Sequence, residues 1–215
     1  MRHFILSTLL PVAAFAQSGP EAGAHEVPFA SAGNVIELAI ENTSSIPQSP
    51  VTVSAATLPA WLMLEPRESA LGDLPGRTEK TARFTFAVDR TAPVNSDYTV
   101  VFTVSGNQGQ AWSKTVSIRI APPESFELFQ NYPNPFNPTT SIAYQLPHES
   151  RVRLVIYDLL GKEVSTLVNG HRSAGYHQET WDASGAASGL YVYRMTARSE
   201  EGKEWVQTRA MMVLR

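Results

Sequence analysis

The residues of this chain whose types could do chemistry are its histidines, a few aspartates and two separated tryptophans. Beyond the first residues, the histidines are His25, His148, His171 and His177. They do not fall at metal-ligand spacing, and His177 is most simply structural. There is no His-Glu-x-x-His, no Gly-x-Ser-x-Gly and no phosphate loop. Gly161-Lys162 is followed by Glu163 rather than Ser or Thr. Asp73, Asp89 and Asp97 lie in predicted turns, where aspartate caps backbone groups. They lack the dense Asp/Asn spacing of a calcium loop. With no cysteine, the chain has no disulfide, thiol nucleophile or thiolate metal site. No cofactor is implied. Carboxylate pairs for glycoside hydrolysis depend on spatial separation, which sequence leaves open. A passenger of roughly 100 residues nevertheless has little room for a cleft. Trp61 and Trp112, if exposed, could stack on sugar rings or meet a partner. In a small sandwich they are expected to anchor the core instead.

Charge narrows the partners. The chain has 215 residues, 17 basic against 20 acidic, for a net charge of −3. Glu21 to Pro122 carries 7 basic and 10 acidic residues, and Pro123 to Arg215 carries 9 and 10. Neither half is polarised and no basic run exists. Nothing suggests a nucleic-acid or anionic-membrane surface.

The first residues read as an address. Arg2 and His3 precede an apolar stretch from Phe4 to Phe15, and Ala14-Phe15-Ala16 places small residues two apart before Gln17. That order is a secretory signal peptide, with cleavage expected between Ala16 and Gln17. The alternative is a buried N-terminal strand. The stretch is too short to span a bilayer, which takes about 20 helical residues, so no transmembrane segment is expected in the mature chain. No cysteine follows the cleavage point to carry a lipid anchor. Residues 17–26 read as a flexible leader.

Two elements of design follow: strands, and a break between them. Helical periodicity is nearly absent, and period-2 alternation recurs between Pro, Gly, Asn and Ser clusters. Strands are expected at Val35–Glu41, Val51–Ala55, Arg83–Val88, Tyr98–Val104 and Trp112–Ile120. Others are expected at Ser141–Leu146, Val152–Tyr157, Val164–Leu167, His177–Trp181, Leu190–Ala197 and Trp205–Val213. Pro122-Pro123 removes two donors and fixes two φ angles, so a sheet cannot run through it. The expected fold class is all-β: two immunoglobulin-like antiparallel β-sandwich domains in tandem after a signal peptide. The expected divisions are 1–16 signal, 17–26 leader, 27–121 passenger, 122–125 linker and 126–215 second domain.

The strongest local signal is Asn131-Tyr132-Pro133-Asn134-Pro135-Phe136-Asn137-Pro138. Its prolines predict a stiff, non-helical lead-in. Phe126, Leu128, Phe129 and Phe136 would pin it by burial, each worth about 2 kcal/mol. Val152 to Tyr157 then runs into Asp158-Leu159-Leu160-Gly161-Lys162, a tight turn that Asp158 can cap and Gly161 can close at positive φ. Ala174-Gly175-Tyr176, Trp181-Asp182 and Ser188-Gly189-Leu190-Tyr191 follow.

In this order and spacing, residues 126–215 resemble the type A C-terminal sorting domain of type IX (Por) secretion cargo, itself similar to the immunoglobulin-like domain of flagellar hook-capping proteins. The resemblance implies export from a Gram-negative cell of the Bacteroidetes type. Its expected partners are the general secretory machinery, the type IX outer-membrane translocon and a sortase-like peptidase. The product would be secreted or attached to the cell surface, via the periplasm. The family motif falls on Asn131, Pro133, Asn134, Pro135, Tyr157, Asp158, Gly161, Lys162, Gly175, Gly189 and Tyr191, with Arg209 opening the basic-then-aliphatic end. Ala183 follows Trp181-Asp182 where the family usually has Gly. It would be strained at positive φ. Leu190 and Arg209 are milder departures. A hook-capping relative is the runner-up, and the signal peptide argues against it.

The first block is loosely similar to bacterial immunoglobulin-like accessory modules. The carriers are Glu41-Asn42-Thr43, Leu58-Pro59-Ala60-Trp61-Leu62, and Ala92-Pro93 ahead of Tyr98. It is expected to be a non-enzymatic binding or structural module with a glycan or protein ligand. The alternatives are a small hydrolase or carbohydrate-active accessory protein, or a spacer and sorting domain left from a larger secreted enzyme.

Overall fold

The computed structural model describes residues 5–8, 11–12, 24–106 and 111–214. The expected cleavage site at Ala16 and Gln17 lies outside them. Two compact units divide between Ala121 and Pro122. The described residues hold strands and no helix, so none could cross a membrane as a helix.

In the first unit the strands are β1 (Ile5–Thr8), β2 (Pro11–Val12), β3 (His25–Val27), β4 (Asn34–Asn42), β5 (Gln48–Ala55), β6 (Leu62–Glu65), β7 (Glu68–Leu74), β8 (Thr78–Val88), β9 (Asp97–Ser105) and β10 (Ala111–Ile120). One sheet runs β1-β4-β8-β6, with β2 also on β4; the other runs β3-β10-β9-β5-β7. Alternation decides which side chains meet between them. Ile36, Leu38 and Ile40 of β4, with Phe84 and Phe86 of β8, face the same core as Val100, Phe102 and Val104 of β9. Phe84 and Phe102 lie 4.9 Å apart between ring centroids.

Several expectations change here. The pairings are not all antiparallel: β1 and β2 pair with β4, and β3 with β10, in parallel. His25 and Glu26, expected in the leader, belong to the strand His25–Val27. Asp73 sits within β7 and Asp97 opens β9, so of the three aspartates only Asp89 is in a turn, accepting the Thr91 N–H at 2.9 Å. Trp61 and Trp112 are half-buried, packed on the rim of the core rather than in it. Trp61 meets Tyr98 edge-on at 5.0 Å.

The second unit holds β11 (Glu127–Leu128), β12 (Thr139–Leu146), β13 (Ser150–Tyr157), β14 (Glu163–Arg172), β15 (Gly175–Asp182), β16 (Gly189–Ser199) and β17 (Glu204–Val213). A three-stranded sheet, β11-β12-β15, faces a four-stranded one, β14-β13-β16-β17. Every second residue supplies the core: Ile142, Tyr144 and Leu146 from β12; Leu154 and Ile156 from β13; Tyr193 and Met195 from β16; Met211 and Val213 from β17. Ala183 is buried without positive φ, and its N–H meets the Pro138 carbonyl at 2.9 Å. The strain expected there does not arise, because this turn needs no left-handed residue.

Candidate functional site

The proline-rich lead-in is held by its asparagines. Asn131 is buried at 2% exposure. Its side-chain amide donates to the Pro133 carbonyl at 3.0 Å and to Thr140 Oγ1 at 2.9 Å. Thr140 in turn donates to the Pro133 carbonyl at 2.8 Å. A loop rich in prolines has few donors of its own, so one buried amide and one hydroxyl close it. Pro133, Asn134 and Pro135 remain exposed.

The lead-in is also stitched to the last strand. Asn134 Oδ1 accepts the Met212 N–H at 2.9 Å. The Phe136 N–H donates to the Met212 carbonyl, and Leu214 N–H to the Phe136 carbonyl. Further back, Arg209 Nε donates to the Leu128 carbonyl, and Gln207 Oε1 accepts the Leu128 N–H at 3.0 Å. The open edge of β17 is thereby covered by the start of its own unit, which blunts an edge otherwise free to pair with another chain.

The turn between β13 and β14 is rigid and presents apolar side chains. Asp158 Oδ1 accepts the N–H groups of Leu160 at 2.9 Å and Lys162 at 3.0 Å. The Asp158 N–H reaches the Lys162 carbonyl, and Gly161 N–H the Asp158 carbonyl, with Gly161 at φ 81°. Leu159 and Leu160 stand out from this frame, Leu160 at 95% exposure. Beside the turn, Arg194 lies 5.6 Å over the Tyr157 ring.

Register shows which motif residues come together. Tyr157 is opposite Val192, Val192 is opposite Ala210, and Gly189 is opposite Val213, which bridges to Phe136. The Asp158 turn, Gly189, Tyr191 and the proline lead-in therefore gather at one end of the four-stranded sheet. An aromatic row binds them from inside: Phe136 to Trp181 at 5.6 Å, then Trp181 to Tyr191 at 5.4 Å. Gly175 is apart, opposite Leu146 at the other end of its sheet. Sequence reasoning missed Tyr193, wholly buried between these parts. Burial pushes its phenol up to about 12. It sits in a plain alternation of core residues, so no local signal marks it.

Residues 130–207 match the family described as the secretion system C-terminal sorting domain. The second unit carries a type IX C-terminal sorting domain. Such a sorting domain implies interaction with the type IX machinery and secretion across the outer membrane, to the surface or the medium. No curated protein matches the chain. Among solved structures it is similar to dimeric latent PorU from Porphyromonas gingivalis, at 15% identity and TM-score 0.36 over 94% of this chain. That similarity spans 20% of the PorU chain. It is also similar to the CupB2 chaperone of Pseudomonas aeruginosa, at 13% identity and TM-score 0.26 over 88% of this chain and 98% of that one.

In the first unit, Asp97 and Arg119 form an exposed pair at 2.6 Å. Among the described residues no group of three or more His, Asp or Glu is placed to hold a metal. Lys114 is turned to the core side of β10, where burial lowers its pKa.

Proposed function

We propose that this chain is an exported surface or secreted protein whose sorting domain is read by the translocon at the Asp158–Lys162 end. Once outside the cell, its first unit acts as a non-enzymatic binding or structural module. The carrying observation is the Leu159-Leu160 pair. Four hydrogen bonds fix a turn that leaves both side chains in water, and a docking partner that covered them would gain by burying this apolar surface. Lys162 and Tyr157 flank the pair. A sortase-like peptidase then separates the passenger, which meets a glycan or protein ligand.

The test is delivery. Deleting 126–215 is expected to leave the passenger in the periplasm of a type IX-competent host, and grafting 126–215 onto an inert periplasmic reporter is expected to carry it out. Reporter retained inside the cell would end this reading. Glycan arrays and pull-downs with residues 17–121 address the passenger, and reproducible silence in both would remove the binding role.

A further inference from the structure

At the end of the four-stranded sheet away from the Asp158 turn, three basic side chains stand in one row. Arg151 of β13 is directly opposite His171 of β14 on one side and Arg198 of β16 on the other. All three are exposed, while their neighbours Val152 and Ala197 are buried in the core. Directly opposed residues on adjacent strands have Cβ atoms about 5 Å apart, and like charges there repel.

The same face supplies partners to its other guanidiniums. Arg153 meets Glu163 at 2.6 Å, and Arg194 covers Tyr157. Among the described residues, neither the Arg151 nor the Arg198 side chain has a hydrogen bond, ion pair or ring contact. The acidic groups nearby do not neutralise them. Glu149 lies 3.8 Å from His171. Glu204 is in register with Arg198 across β17 yet makes no ion pair with it, and Glu200 lines the cleft beside the two arginines. The row lines an open cleft of about 320 Å³ together with Ser150, Ser199 and Glu200.

We propose that this cleft binds a phosphate dianion, free or as a monoester. A guanidinium fork donates two parallel hydrogen bonds to oxyanions. A carboxylate has two oxygens and satisfies one fork; a phosphate monoester has three and can satisfy both. One dianion thus removes the Arg151–Arg198 repulsion, with His171 lining the same cleft. Inorganic phosphate and a lipid headgroup monoester share the recognised chemistry.

The full chain tests this by calorimetric titration with inorganic phosphate at constant ionic strength, and by co-sedimentation with phosphatidylcholine vesicles with and without phosphatidic acid. Saturable one-site phosphate binding is expected, weakened at least about tenfold by Arg151→Gln or Arg198→Gln and unchanged by Arg119→Gln, which lies in the other unit. In phosphate-free buffer the double variant is expected to melt no lower than the parent, since it loses a repulsion; this separates lost binding from misfolding. Vesicle capture that depends on both arginines would assign the source to a headgroup, and binding of free phosphate without capture to a soluble phosphate. Absence of saturable binding in both arms, or equal binding by parent and double variant, overturns the proposal.

Discussion

The phenol oxygen of Tyr193 accepts the backbone N–H of Asn131 at 2.9 Å and donates to the Phe129 carbonyl at 2.8 Å. One buried hydroxyl thus ties the lead-in to β16 across 62 residues of sequence. It satisfies a donor and an acceptor that strand pairing leaves out. Tyr193→Phe keeps the ring and removes both bonds. A buried polar group left unpaired costs about 1–3 kcal/mol, so denaturant unfolding of the second unit is expected to shift by that amount. Limited proteolysis should then cut first around Asn131 to Pro138. An unchanged midpoint with unchanged cleavage would show that the hydroxyl does not hold the lead-in.

Alkaline pH addresses the same core. Burial pushes both Tyr144 and Tyr193 up to about 12, against 10.0 for an ordinary phenol. The unfolded chain therefore gives up these protons first. Between about pH 10 and pH 12 the native state binds more protons than the unfolded state, and stability falls as pH rises, by up to about 1.4 kcal/mol per pH unit for each tyrosine. Urea midpoints measured from pH 9 to 12 should decline through that window. In Tyr193→Phe the decline should be shallower. Equal slopes in parent and variant would mean that Tyr193 titrates normally.

What the sequence made legible was the part written in alternation. β4, β8, β9, β10, β12, β13 and β16 follow directly from apolar residues at every second position. β7 was missed because Glu68-Ser69-Ala70-Leu71-Gly72-Asp73-Leu74 lies at a sheet edge, mostly exposed, and so carries no apolar stripe. β6 is four residues long and merged with the Trp61 turn. Asp97 looked like a turn former, but its carboxylate answers Arg119 across the ladder, and that guanidinium holds it below the usual range. Within the sorting domain, the capping of Asp158 and the closure at Gly161 could be read locally. The roles of Arg209 and Tyr193 could not, since their partners lie 81 and 62 to 64 residues away. The Arg151–Arg198 pair likewise exists only once the register is known.

Leu160 separates recognition from folding. Its side chain is exposed at 95% and contributes almost nothing to the core. Leu160→Asp is expected to change unfolding free energy by no more than about 0.5 kcal/mol, as for other surface substitutions. Export of the full chain should nevertheless drop severely, with the protein accumulating in the periplasm. Asp158→Ala should lower both, because the Leu160 and Lys162 N–H groups lose their acceptor. Normal export of Leu160→Asp would move the recognition surface elsewhere on the domain.

The signal segment makes the last prediction. β1 pairs in parallel with Val35–Leu38 and β2 with Glu41–Asn42, on the side of β4 opposite β8. Both short strands lie ahead of Ala16, so cleavage there removes them together. What remains is β4, nine residues without proline, with Val35 and Ala39 on the face turned away from the core cluster. A long edge strand with unpaired N–H and C=O groups is a template for pairing with another chain. Hydrogen exchange across residues 35–42 should therefore be faster in a chain of residues 17–215 than in the full chain. Sedimentation of that shorter chain should show concentration-dependent association. Glu in place of Val35 should suppress the association, since a charge on an edge strand opposes edge-to-edge pairing. Identical exchange in the two chains would mean that residues 1–16 do not protect this edge.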